Sequence, residues 1–85
     1  MNNITHNNLK AYRLKVGLRQ VDVARQLGLD FADRLSRWEN GVAMPNVVNL
    51  FRLASIYKVS PQDLYQDLRQ TIESKLTNAQ ISPKE

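Results

Sequence analysis

The chain has 85 residues, no cysteine, and 12 Lys and Arg against 8 Asp and Glu. That length allows one domain with a thin core, and the missing cysteines exclude a disulfide framework or a thiolate metal site. The net charge of +4 is uneven, +5 over residues 1–59 and −1 over residues 60–85, so the front of the chain is the part that attracts polyanions such as nucleic acid or an acidic membrane.

Residues 1–6 are polar and read as a flexible N-terminus, followed by a domain over 7–76. Asn7 or Asn8 is suited to cap the first helix, because a short side-chain oxygen there accepts a free N–H of the first turn. Leu9, Tyr12 and Val16 then share one face at i, i+3 and i+7. Gly17 ends that helix. The second helix, about 20–27, turns Val23, Ala24 and Leu27 inward, and Ala24 is small where two helices must approach. Gly28 closes it and Leu29 is the next apolar anchor.

Asp30 is placed to cap a third helix with Asp33 as its capping-box partner, and Leu35 and Trp38 form its inner face. Gly41 stops it. Pro45 and Asn46 prepare a fourth helix, about 47–57, with Leu50, Leu53, Ala54 and Tyr57 toward the core and Val48 and Phe51 on another side. Ser60-Pro61-Gln62-Asp63 is the clearest helix start in the chain. Leu64, Leu68, Ile72 and Leu76 recur every fourth residue, which predicts a long fifth helix to about 76, with 77–85 as a disordered tail. No stretch alternates as a strand would, so the fold class is all-α, with five helices.

Several features then stand together: Gly17-Leu18 with Gln20, Ala24, Leu27-Gly28-Leu29, the run Leu35-Ser36-Arg37-Trp38-Glu39-Asn40-Gly41, and Pro45 with Leu50, Leu53 and Ala54. Over about 8–68 the chain resembles the phage repressor/Cro family of xenobiotic-response-element (XRE) regulators. The resemblance implies a compact lambda-repressor-like domain with an extended C-terminal helix, in which residues about 31–39 enter the DNA major groove. Such a helix reads base edges with outward polar side chains, and arginine is the commonest reader because its fork bonds guanine O6 and N7 together. Ala32, Asp33, Arg34 and Arg37 are the implied readers. Gln20 is an implied contact to the DNA backbone and sometimes to a base, Asn40 with the amides around Gly41 is an implied phosphate clamp, and Arg13 is implied to pair with Glu39 across helices one and three. Ala24, Gly28, Leu35 and Trp38 are structural.

Two departures modify that pattern. Seven positions separate Gly28 from Leu35, one more than the family commonly has, so the turn is altered somewhere in 30–33 and the register of Phe31, Ala32 and Asp33 shifts. The loop after Gly41 is Val42-Ala43-Met44 where the family often has Lys or Arg, which predicts fewer phosphate contacts and a shallower salt dependence.

The function expected is sequence-specific binding of double-stranded DNA by a small transcriptional regulator, a homodimer on an inverted repeat. Val48, Phe51, Ile72 and Leu76 are the candidate dimer residues. The alternative is a protein-interaction module, such as an antitoxin whose main partner is a protein. No nucleophile motif, phosphate loop or metal-ligand cluster is present. His6 stands alone, so neither an enzyme, a cofactor nor a bound metal is expected. No run approaches the ~18 apolar residues of a membrane span, the N-terminus lacks signal-peptide order, and nothing suggests a small-molecule ligand domain. A cytoplasmic protein with no membrane partner is expected.

Overall fold

The computed structural model describes residues 5–78. Its helices are α1 (Leu9–Lys15), α2 (Gln20–Gln26), α3 (Asp33–Glu39), α4 (Val47–Tyr57), α5 (Pro61–Leu64) and α6 (Gln66–Asn78), with no strand among the described residues. The all-α expectation holds. Residues 1–4 and 79–85, which include most of the expected flexible start and tail, lie outside the described residues.

One apolar cluster ties α1 to α5 together: Leu9, Val23, Leu27, Leu35, Trp38, Leu53, Ala54, Tyr57, Leu64 and Tyr65. Helix α3 packs on both α1 and α2, while α5 packs on α4 and α6. Leu9, Leu35, Leu53 and Leu64 are completely buried, and truncating such a leucine to alanine costs about 2–5 kcal/mol. The expected inner faces of helices two and three are therefore the core faces observed. On α4, Leu53, Ala54 and Tyr57 are buried, Leu50 is half-buried, and Asn49 is buried as well.

Several boundaries differ from the sequence reading. At the start of α1, of the two asparagines expected to cap, Asn7 is the one whose side chain accepts a backbone N–H, from Leu9 at 3.0 Å, although Asn8 is the N-cap residue. Asn8 instead donates to the Asp63 carbonyl at 3.0 Å and so joins α1 to α5. Val16, expected inside, is 38 % exposed. The helix has ended at Lys15, and Arg13 occupies the inner face in its place.

The third helix starts at Asp33 rather than near 31, and Asp30 does not cap it. The extra residue between Gly28 and Leu35 is absorbed as a bend before the helix, which leaves Leu29 half-buried and Phe31 in solvent. By contrast Asn46 caps α4 as expected, accepting from the Asn49 N–H at 2.8 Å. At α5, Asp63 accepts the Ser60 N–H at 3.0 Å, with Pro61 in the first helical position.

The long fifth helix is interrupted at Tyr65, so there are two helices where one was expected. Tyr65 adopts φ −132° and ψ 50°, outside the helical region, and buries its ring to 6 % exposure. Burying that ring against the core turns the chain, and the Tyr65 carbonyl accepts from Arg69 N–H at 2.9 Å as α6 begins. Leu64 and, in part, Leu68 close the core, while Ile72 and Leu76 stay exposed.

Candidate nucleic-acid interface

Helices α2 and α3 are joined by a turn over residues 27–32, in which Gly28 has φ +77°. An L side chain at that angle brings its Cβ against the following carbonyl, which glycine avoids. The Gly28 N–H donates to Arg25 C=O and the Leu29 N–H to Ala24 C=O, so the last carbonyls of α2 are satisfied inside the turn. Leu27 packs into the core and Leu29 against its edge, which holds the two helices at a fixed angle.

A second device fixes that angle from the other end. The Glu39 carboxylate accepts from Arg13 Nε at 2.6 Å and Nη2 at 3.2 Å, and from Gln20 Nε2 at 2.9 Å. Arg13 Nη1 donates to the Leu18 carbonyl at 2.9 Å. One carboxylate at the end of α3 thus holds α1 and the first residue of α2, and Arg13 itself ties in the loop between them. The Arg13 and Glu39 side chains are 8 % and 3 % exposed. Removing either partner leaves a charge buried alone, at a cost of about 3–5 kcal/mol. The hydrogen bonds from Arg13 to Glu39 hold the guanidinium pKa above its ordinary value. The pairing implied by the resemblance is present.

The N-terminal stretch seals the far end of α3. Asn7 Nδ2 donates to the Trp38 carbonyl at 2.9 Å, and the Thr5 N–H donates to the Gly41 carbonyl at 3.0 Å. The Trp38 carbonyl also accepts the Gly41 N–H at 3.1 Å, so Asn7 adds a second bond at the end of α3 and Thr5 ties down the residue that follows it. Sequence reasoning missed this role of Asn7, since its partner lies 31 residues away and no local signal marks it.

On the outer side of α3, Asp33, Arg34 and Arg37 are exposed, while Leu35 and Trp38 are buried. Arg34 lies with its guanidinium 5.6 Å from the Trp38 ring centre, a cation–π contact that limits its rotamers. Arg37 forms no salt bridge among the described residues. Ala32 is half-buried just ahead of the helix. Asn40 is exposed, with Nδ2 3.5 Å from Ser36 Oγ. Gln20 is half-buried and engaged with Glu39, unlike the free side chain that its implied role suggests. The loop residues Val42 and Met44 are about half exposed and carry no cation.

At the other flank, Asp22 accepts the Arg19 N–H at 2.9 Å and the Arg19 guanidinium at 2.9 and 3.0 Å, and Arg25 lies 3.6 Å away. Held first by the Arg19 side chain and then by its backbone N–H, the Asp22 carboxyl is lowered to about 2. No cluster of residues able to hold a metal ion occurs among the described residues, and none of their helices is long and apolar enough to cross a membrane.

No curated protein and no solved structure matches the chain. A family model described as helix-turn-helix matches residues 9–64, more than half of the chain and all of α1 to α5. With the α2–turn–α3 pair and its buried arginine–glutamate clamp in place, the chain belongs to the Cro/C1-type XRE helix-turn-helix family of DNA-binding transcription regulators.

Proposed function

We propose that the protein binds double-stranded DNA sequence-specifically, as a homodimer on an inverted repeat, with α3 in the major groove. The observation that carries this reading is the two-sidedness of α3. Leu35 and Trp38 are locked into the core while Arg34 and Arg37 stay exposed on the outer side, as a groove reader requires. In this reading Arg37 bonds a guanine edge, and Arg34, Asp33 and Ala32 face the neighbouring base pairs. Asn40 contacts the phosphate backbone. Gln20 does so with the amide hydrogen it does not give to Glu39.

The dimer reading rests on apolar surface that the fold leaves uncovered. Val48 and Phe51 on α4 and Ile72 and Leu76 on α6 are 57, 60, 48 and 57 % exposed. A shallow hollow lined by Leu50, Tyr65, Leu68 and Ile72 joins the two helices. Every residue of α6 from Arg69 to Thr77 is exposed, and a helix of that length is marginal in water without packing. A second copy laid along α6 would supply that packing, and a dimer of this kind reads half-sites about 34–36 Å apart.

The test is selection of bound duplexes from a randomised pool at about 0.15 M salt, where loose electrostatic binding is already partly screened. An inverted repeat with half-site centres about one turn apart is the expected product. Arg37→Ala should then relax one position in each half-site, lowering discrimination there by about 1–3 kcal/mol. Absence of any enriched motif overturns the reading. A stoichiometric protein complex that survives Arg37→Ala, with no enriched motif, supports the interaction-module alternative instead.

A further inference from the structure

Phe31 is the most exposed large apolar side chain among the described residues, at 75 %. It sits in the bend between Leu29 and α3, two residues before Asp33. Together with Gly28, Leu29, Asp30, Asp33 and Arg34 it lines a shallow hollow at the leading end of α3. We propose that Phe31 is a specificity-determining residue that reads the 5-methyl group of a thymine in the major groove, next to the base pair that Arg34 faces. The proposal deepens the DNA-reading function above and rests on it.

Three observations favour this occupant. The leading end of a recognition helix is the part that reaches base edges, so a side chain just ahead of α3 stands at the groove floor when the helix is inserted. Phe31 is the one exposed apolar side chain of that hollow, with Leu29 half-buried beneath the surface and Asp30, Asp33 and Arg34 exposed around it. A protein partner is marked by a contiguous apolar patch, whereas one ring among polar groups matches one methyl among hydrogen-bonding base edges. Thymine is the base that presents such a methyl in the groove, and phenylalanine is among the side chains suited to it. Phe31 lies within the Gly28–Leu35 segment that is one residue longer than the common spacing, so that departure bears on specificity in this proposal.

The experiment uses the full chain and the duplex recovered by selection. Each thymine of one half-site is replaced in turn by deoxyuridine, which removes the 5-methyl group and nothing else. The wild-type protein should lose about four-fold in affinity at one or two positions, the worth of one buried methyl. Phe31→Ala should bind the thymine and uracil versions of those positions equally, and Phe31→Leu should recover part of the difference, because the interaction needs apolar surface rather than aromaticity. The ring is exposed, so the unfolding midpoint of either variant should match wild type. Indifference of the wild type to every methyl overturns the proposal. So does a Phe31→Ala loss that is the same for thymine and uracil at all positions with methyl sensitivity retained, which assigns the ring to the sugar–phosphate chain. If selection recovers no motif, the DNA-reading function falls and this proposal with it. A recovered, Arg37-dependent motif without Phe31-dependent methyl sensitivity removes this proposal alone.

Discussion

Glu39 and Asp22 are both carboxylates held by an arginine, and burial separates what each does. Glu39 is enclosed, so its bonds to Arg13 and Gln20 set the angle between α2 and α3. Asp22 stands at the exposed start of α2, where the Arg19 side chain and backbone N–H draw its pKa to about 2. Because the folded pKa lies below the unfolded one, its contribution to stability is complete above the ordinary carboxylate range and is lost as pH falls through about 2. Carboxyl-carbon NMR of Asp22 against pH should show that low midpoint. In Arg19→Ala the midpoint should rise yet remain below an unperturbed aspartate, since the backbone N–H donor survives the substitution. A midpoint unchanged by Arg19→Ala would show that the guanidinium bonds carry nothing. The hydroxyls of Tyr57 and Tyr65 show what burial does to an acid that has no hydrogen-bond donor to hold its charged form. Neither has a hydrogen-bond partner among the described residues, and desolvation raises both, Tyr65 to about 12 and Tyr57 further.

Among the helices, α4 ends on a different residue type from the three before it. Helices α1, α2 and α3 each finish near a glycine with positive φ, at 17, 28 and 41, whereas α4 finishes on Lys58 at φ 60°. The left-handed turn is needed there so that the Val59 N–H can reach the Ala54 carbonyl, at 3.0 Å, and Val59 can pack against the core. Lysine adopts that angle at a steric cost that glycine does not meet. Lys58→Gly should therefore stabilise the protein by about 1 kcal/mol, read as a higher urea midpoint with an unchanged m-value. A lower midpoint would mean that the entropy glycine adds to the unfolded chain outweighs the strain. The end of α2 at Gly28 and the start of α4 at Asn46 could be read from sequence because their determinants are local. The break at Tyr65 could not. Leu64, Leu68, Ile72 and Leu76 keep helical spacing, and only the pull of a buried ring toward the core shows where the helix must turn.

At the scale of the whole molecule, α6 stands out because it leaves the core after Leu68 and buries nothing further along its described length. If a second copy covers it, Ile72→Asp should shift sedimentation equilibrium toward monomer while circular dichroism of the monomeric body stays close to wild type, because the side chain is already 48 % exposed. DNA affinity should drop with it, since two linked half-site contacts become one. An unchanged association state would move the interface to Val48 and Phe51. The basic charge of residues 1–59 and the cation-free loop around Val42 and Met44 together predict a protein that is drawn to DNA but makes few phosphate contacts, hence a shallow salt slope.

The sequence by itself determined the helix class, the inner faces of α2 to α4, the cap at Asn46, the Ser60–Asp63 start and the family, because each depends on residue type at short spacing. The presence of an inserted residue was also visible, as one position too many between Gly28 and Leu35. Where that residue went was decided by tertiary structure. Leu29 and Leu35 both pack on the core, so the surplus chain between them bends outward, α3 starts late at Asp33, and Phe31 is left in solvent. The Glu39 link to Gln20, the Asn7 bond across 31 residues and the turn at Tyr65 likewise join groups that no local pattern brings together. They exist because the packed core holds those groups within hydrogen-bonding or van der Waals reach.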